Sequence, residues 1–285
     1  MSALDQIAQW PVDNVAAAVV GADGAVLESF GPTARTFRLA SVSKLLSVYA
    51  LLIAGEEEAV GLDDPAGPPS VRDRGATLRH LLAHTSGLGF EAADPVLSAP
   101  GERRIYSNAG IEAAADHLAT STGIPFPEYL SAAVLDPLGM PEARLEGSPA
   151  HAVHAGVDDL VLFAGELFAP RLVAPMTLSE AISVQFPGVS GVVPGVGRFD
   201  PCDWGYGFER NFGRRTTRGA THWAGDRVST QTFGHFGGSG TLFFVDPIAR
   251  IALIVLTDRA FGDWALEVWP PLCTDVISQF GATTG

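Results

Sequence analysis

Apolar residues are distributed along the chain in two distinct patterns. Near the N-terminus they form short strand-like runs, Val15 to Val20 and Ala25 to Phe30, on either side of Gly21-Ala22-Asp23-Gly24, a stretch suited to a tight hairpin turn. Near the C-terminus, Gln231 to His235, Thr241 to Val245 and Ile251 to Thr257 read the same way. The last two are joined by a short connection opening with Asp246-Pro247, which predicts antiparallel pairing. Between the two ends, apolar positions recur at spacings of three and four over Leu45 to Ala59, Leu78 to Ala83, Ala109 to Thr120, Phe126 to Leu135 and Val157 to Phe168, the signature of helices. Trp264, Val268, Leu272 and Val276 continue a four-residue period through Asp263 to Phe280, where Pro270-Pro271 is expected to kink or restart the helix. The Pro- and Gly-rich stretch from Phe186 to Asp203 reads as a long loop. There is no internal repeat or low-complexity tract. The pattern predicts a single domain over 1–285: an α/β body from about 1–64 and 225–285, with a mostly helical lobe inserted at about 65–224.

Composition narrows the function. At 285 residues with 47% hydrophobic content, the chain can bury a sizeable core. The 18 Lys+Arg against 32 Asp+Glu leave a formal charge of -14, spread along the chain, which makes nucleic acid a poor partner. The run Glu56-Glu57-Glu58 reads as the solvated end of a helix. No apolar run approaches the ~20 residues of a membrane span, and the opening MSALDQIAQWPVDN has neither a basic nor an unbroken apolar segment, so a cytoplasmic address is expected. Cys202 and Cys273 are too few and too far apart in sequence for a disulfide framework or a zinc cluster, and are expected to be reduced, buried thiols.

Candidate chemistry begins at FRLASVSKLL, residues 37–46. If a helix begins at Ser41, Lys44 lies one turn on and on the same face, while Ser43 points elsewhere. A serine hydroxyl needs a base to become a useful nucleophile. A lysine desolvated by Val42, Leu45, Leu46 and Val48 can have its pKa lowered enough to serve, and a helix N-terminus can stabilise an oxyanion. Tyr106-Ser107-Asn108 follows Pro100-Gly101-Glu102, and Gly234-His235-Phe236-Gly237-Gly238-Ser239-Gly240 lies among the C-terminal strands.

In that order the three elements resemble the active-site serine β-lactamases and penicillin-binding proteins, most closely the class C-like branch that also holds D-amino-acid peptidases and serine esterases. TLRHLLAHTSGL (77–88), PGERRIYSN (100–108), LDPLGM (135–140), WGYGF (204–208) and HFGGSG (235–240) carry the resemblance, which runs from about residue 15 to about residue 260. It implies an antiparallel sheet made from both chain ends and flanked by helices. It also implies Ser41 as nucleophile, Lys44 as proton acceptor, Tyr106 as the second acid/base group and Asn108 as a ligand of substrate and of Lys44. The backbone N–H groups of Ser41 and Gly238 would form the oxyanion hole, and Gly237 and Gly238 would line the substrate strand, where His235 either contacts substrate or packs beside the site. Whether Lys44 or Tyr106 is the base stays open. No metal and no cofactor are implied.

The chain departs from the pattern at His235-Phe236-Gly237, where many relatives carry Lys-Thr-Gly or His-Thr-Gly. The missing threonine hydroxyl helps bind the carboxylate of β-lactams and D-alanyl peptides, so phenylalanine shifts the expectation to a neutral ester or amide. A β-lactamase or D-alanyl-D-alanine carboxypeptidase-type enzyme is the nearest alternative, acyl transfer a further one, and a non-catalytic binding or sensor domain a rival of another class. The partner in the enzymatic readings is a small ester, amide or β-lactam; the oligomeric state is open.

Other features are set aside. His80 and His84 have a zinc-compatible spacing without the accompanying glutamate, and belong to a structural helix and turn. His151 and His154 are expected in solvent and Ser239 in a turn. Of Trp204, Tyr206, Phe208, Trp223 and Phe233, most are expected in the core, with Trp204 and Tyr206 the candidates for the rim of a cleft.

Overall fold

A computed structural model describes residues 2–92, 94–210 and 213–281. Both chain ends build one five-stranded antiparallel sheet: β1 (Val15–Gly21), β2 (Val26–Phe30), β3 (Phe233–Gly237), β4 (Thr241–Asp246) and β5 (Ile251–Thr257), in the order β2-β1-β5-β4-β3. The β1–β2 hairpin closes at Gly21-Ala22-Asp23-Gly24 as expected: the Gly21 N–H donates to Ala25 O (2.8 Å), and Gly24 takes φ 81°, where a side chain would be strained.

The period of two sorts the sheet's side chains. Ala16, Ala18 and Val20 of β1 and Ala252, Ile254 and Leu256 of β5 face one apolar cluster, while Ala17, Val19, Ile251, Leu253 and Val255 face another. The first cluster holds helices α1 (Ser43–Glu56), α2 (Asn108–Thr122) and α3 (Val157–Phe168). Helix α1 is buried all round from Ser43 to Ala54, as befits a helix that is apolar on every side. Each of its buried leucines contributes about 1.5–3 kcal/mol relative to exposure.

The second cluster holds α4 (Asp263–Phe280), which continues through Pro270-Pro271 as one helix and does not restart there. The two prolines forfeit bonds to the carbonyls of Leu266 and Glu267, yet Pro271 and Glu267 are exposed, so water can take up the freed acceptors. The buried face is Ala265, Trp269, Leu272, Cys273 and Val276; Trp264 and Val268 lie at its margin.

The stretch read as a loop contains a small hairpin, Gly191–Val193 with Gly197–Phe199, which pairs in parallel with Arg104–Ile105. A second ribbon joins Phe37–Arg38, Arg144–Leu145 and Val153–Ala155. Among the described residues, no helix is long and apolar enough to cross a membrane.

Candidate active site

The site forms where the start of α1 meets the edge strand β3. A 3-10 turn, Ala40–Val42, precedes α1, so Ser41 stands just ahead of the α-helix and not at its first residue. Lys44, three residues on in the first turn of α1, brings its Nζ within 3.3 Å of Ser41 Oγ. Ala40 enters the turn with φ 46°, a left-handed conformation disfavoured for alanine, and the neighbouring strands hold it there. Thr241 Oγ1 donates to Leu39 O (2.8 Å) and Ser239 Oγ to Arg38 O (2.7 Å). Gly237 permits this approach: a Cβ there would lie 2.4 Å from Leu39 O and 2.3 Å from Thr241 Oγ1. Gly238, one residue on, has open space in front of it.

Lys44 is fully buried. Its Nζ lies 2.7 Å from Asn108 Oδ1, 2.9 Å from Ala150 O and 3.3 Å from Ser41 Oγ, with the Tyr106 ring centroid 4.7 Å away. Burial lowers its pKa from 10.5 to about 7, against the opposing pull of Glu112 and Glu91. A neutral amine has two N–H bonds and one lone pair. Asn108 Oδ1 and Ala150 O, which can only accept, take the two N–H bonds and leave the lone pair to the Ser41 hydroxyl. Ala150 is not legible in the sequence because a backbone acceptor has no residue signature. Its loop is laced to α1 by Ser47 Oγ donating to Pro149 O (2.7 Å) and the Val153 N–H donating to Ser43 Oγ (3.0 Å).

Tyr106 is buried, and burial drives its phenol well above the usual tyrosine range, only partly offset by Ser41. The hydroxyl therefore stays protonated at neutral pH. The Asn108 amide is fixed at its other end by Nδ2 donating to Glu91 Oε1 (2.9 Å). His235 is also buried. Its Nδ1 lies 2.5 Å from Phe236 O, so Nδ1 carries the proton and Nε2 is a bare acceptor with no hydrogen-bond partner. Burial and the nearby Lys44 push its pKa down to about 3, which makes it a neutral group.

Ser41, Tyr106, His235 and Gly238 open on one cavity of about 220 Å³, whose remaining lining is Phe90, Val193, Pro194, Gly195, Trp204, Phe236 and Phe261. Lys44 and Asn108 stand behind Ser41, and Gly237 ends strand β3 without lining the cavity. Trp204 thus lines the cavity, as expected of one rim candidate. Tyr206, the other, does not: it is buried elsewhere with its hydroxyl bonded to Arg79 and Glu180. Phe208, Trp223 and Phe233 are core. The walls supplied by Phe90, by Val193-Pro194-Gly195 and by Phe261 carried no motif that could reveal them.

No cation lines the cavity among the described residues. The buried Arg104 nearby has its guanidinium taken by the carbonyls of Cys202 (2.9 Å), Gln185 (2.7 Å) and Ala83. Neither cysteine is poised to react: both are buried and free, and the Cys202 thiol is pushed up to about 12. His151 and His154 are half-buried, not fully in solvent, and His80 caps its own helix through Thr77. Among the described residues no group of His, Cys, Asp and Glu could hold a metal ion.

Known proteins share this arrangement's scaffold. A β-lactamase from Mycobacterium bovis is 47% identical in sequence, with a TM-score of 0.91 over 99% of this chain and 100% of its own. EstCE1, described as a hydrolase with promiscuous acyltransferase activity, shares the fold at 17% identity, with a TM-score of 0.72 over 96% of each chain. Penicillin-binding protein 4* of Bacillus subtilis is 26% identical over 136 residues, 38% of this chain, and the match spans only 30% of that longer relative. The family model named Beta-lactamase matches residues 7–272, nearly the whole length, and on that match the chain belongs to the beta-lactamase family.

Proposed function

We propose that the chain is a serine hydrolase that transfers the acyl group of a small, neutral ester or amide to Ser41 and then to water. The observation that carries this reading is Lys44, a buried amine with a pKa near 7 whose two good acceptors leave its lone pair to the Ser41 hydroxyl. In the first step Ser41 Oγ attacks the carbonyl carbon as its proton passes to Lys44. The carbonyl oxygen gains negative charge facing the backbone N–H groups of Ser41 and Gly238. Tyr106 protonates the departing alcohol or amine and recovers a proton from the Lys44 ammonium. A water molecule then attacks the acyl carbon, the Lys44–Tyr106 pair accepts its proton, and Ser41 leaves as a hydroxyl while a carboxylic acid is released. A base near 7 beside a phenol held protonated favours Lys44 as base and Tyr106 as acid.

The cavity supports a neutral, apolar acyl group. Phe236 stands in place of the family's threonine, His235 is neutral, and Arg104 is committed to carbonyls. A second reading, β-lactam hydrolysis, is favoured by the 47% identical relative that bears that name. The same acyl-enzyme could also pass its acyl group to an alcohol. Chromophore release and intact mass with a short-chain p-nitrophenyl ester and, separately, a penicillin test the proposal. The expected result is turnover or an adduct with the ester, at a rate above that with penicillin and absent in Ser41→Ala. No adduct and no turnover with either would reject the hydrolase reading, and a penicillin preference would select the second.

A further inference from the structure

We infer that His84 is the positioning residue that sets the orientation of Tyr106 toward Ser41, an inference that rests on the reading of the Ser41 site as an acyl-transfer centre. The segment His84-Thr85-Ser86-Gly87-Leu88-Gly89-Phe90 forms a cradle around the backbone that carries Tyr106. The Ile105 N–H donates to His84 O (2.8 Å) and the Ser107 N–H donates to His84 Nδ1 (3.2 Å), so one residue grips the chain on both sides of the tyrosine. Ser107 Oγ donates to Gly89 O (2.6 Å) and the Asn108 N–H to Phe90 O (2.8 Å), which carries the grip on to Asn108.

The imidazole also packs on the tyrosine. The two ring centroids are 4.7 Å apart, and Trp204 stands edge-on to His84 at 5.4 Å. Because Nδ1 accepts from the Ser107 N–H, the proton of the neutral ring sits on Nε2, which is buried and makes no hydrogen bond. A charged ring would turn a second N–H against that of Ser107. Burial and the Lys44 charge hold the ring neutral, well below the ordinary histidine range.

The backbone supplies a third sign. His84 sits at φ 57°, in the left-handed region that a side chain of this size seldom adopts. The conformation is what allows its carbonyl and its ring to reach Ile105 and Ser107 together. A residue that only ended the preceding helix would be served by glycine or asparagine. What neither offers is a flat ring carrying an acceptor on its near edge.

Two substitutions separate these contributions. His84→Asn tolerates the left-handed backbone and retains an acceptor but loses the ring. His84→Phe retains the ring and loses the acceptor. The readout is kcat/KM on p-nitrophenyl acetate, whose leaving group departs unprotonated, against ethyl acetate, whose ethoxide must take a proton as it leaves. Both variants, checked for folding by thermal denaturation, are expected to lose about tenfold or more on the ethyl ester relative to the p-nitrophenyl ester, in the direction of Tyr106→Phe. Combined with Tyr106→Phe, neither should alter that ratio further. An equal loss on both esters, or additivity in the double variant, would overturn the inference.

A second measurement does not depend on turnover. With 3-fluorotyrosine at all four tyrosines, the Tyr106 resonance is assigned by its absence in Tyr106→Phe. His84→Asn should shift or broaden it, and an unmoved signal would refute the positioning role. If the parent protein neither turns over nor is labelled at Ser41, the hydrolase reading fails, while the fluorine spectrum still decides whether His84 sets Tyr106.

Discussion

A lysine with its ordinary pKa of 10.5 would be unprotonated in only about three molecules in ten thousand at pH 7, against roughly half for one whose pKa is about 7. Burial thus raises the population of usable base by ~10³-fold, and the rate of Ser41 acylation should follow it. In stopped-flow assays with a p-nitrophenyl ester from pH 5 to 9, corrected for spontaneous hydrolysis, kcat/KM should rise along a single limb centred near 7. At pH 5 it should be about one hundredth of the plateau. The plateau should hold to pH 9, because Lys44 is then almost wholly unprotonated. Glu112, half-buried and bonded to Ser148, raises the Lys44 pKa, so Glu112→Gln should move the limb to lower pH. The same shift has a stability consequence. The folded-state pKa is the lower one, so between about 7 and 10.5 the unfolded chain binds more protons at this site. The site's contribution to stability should therefore rise with pH across that window, its full cost being present below 7. A limb centred above pH 9, or one moved upward by Glu112→Gln, would refute the assignment of Lys44 as the base.

Two further substitutions test the walls of the site. Phe236→Thr restores the hydroxyl found in many relatives and opens the apolar wall, so the penicillin-to-ester ratio of kcat/KM should rise about tenfold, measured on both substrates. It should also cost about 3 kcal/mol in urea denaturation, because Phe236 packs against Phe261, Trp223 and Trp269 with ring centroids 4.5, 5.7 and 6.1 Å apart. Gly237→Ala should destabilise by about 1–3 kcal/mol and slow ester turnover together, since the new methyl would press on Leu39 O, two residues before the nucleophile; unchanged denaturation and kinetics would contradict the close approach.

Much of the fold is legible in local pattern. The terminal strands alternate or run apolar over five to seven residues, and their hairpin turn carries its own glycines. The hairpin at Gly191–Phe199 is not legible, because three-residue strands leave no period to read and its partner Arg104–Ile105 lies far away in sequence. The unbroken α4 is hidden for another reason: proline penalises a helix through a lost hydrogen bond, and whether water replaces it depends on which side of the helix faces out.

The candidate site divides along the same line. Ser41, Lys44, Tyr106, Asn108 and His235 are visible because each belongs to a short phrase, and the structure gathers all five. What a phrase cannot convey is the state of each group, which depends on residues brought in from elsewhere. Lys44 is a plausible base only because α1 is buried on all sides and Ala150 supplies an acceptor from a distant loop. His235 is neutral because burial and Lys44 hold its pKa down, and the carbonyl of its own neighbour, Phe236, fixes the tautomer that leaves Nε2 an acceptor. His84 reads as a turn residue until Ile105 and Ser107 are seen to hang from it. An identical set of motif residues around a wet lysine and a protonated histidine would bind carboxylates and acylate slowly. The proposed neutral, apolar acyl group therefore rests on the burial around the motifs and not on the motifs themselves.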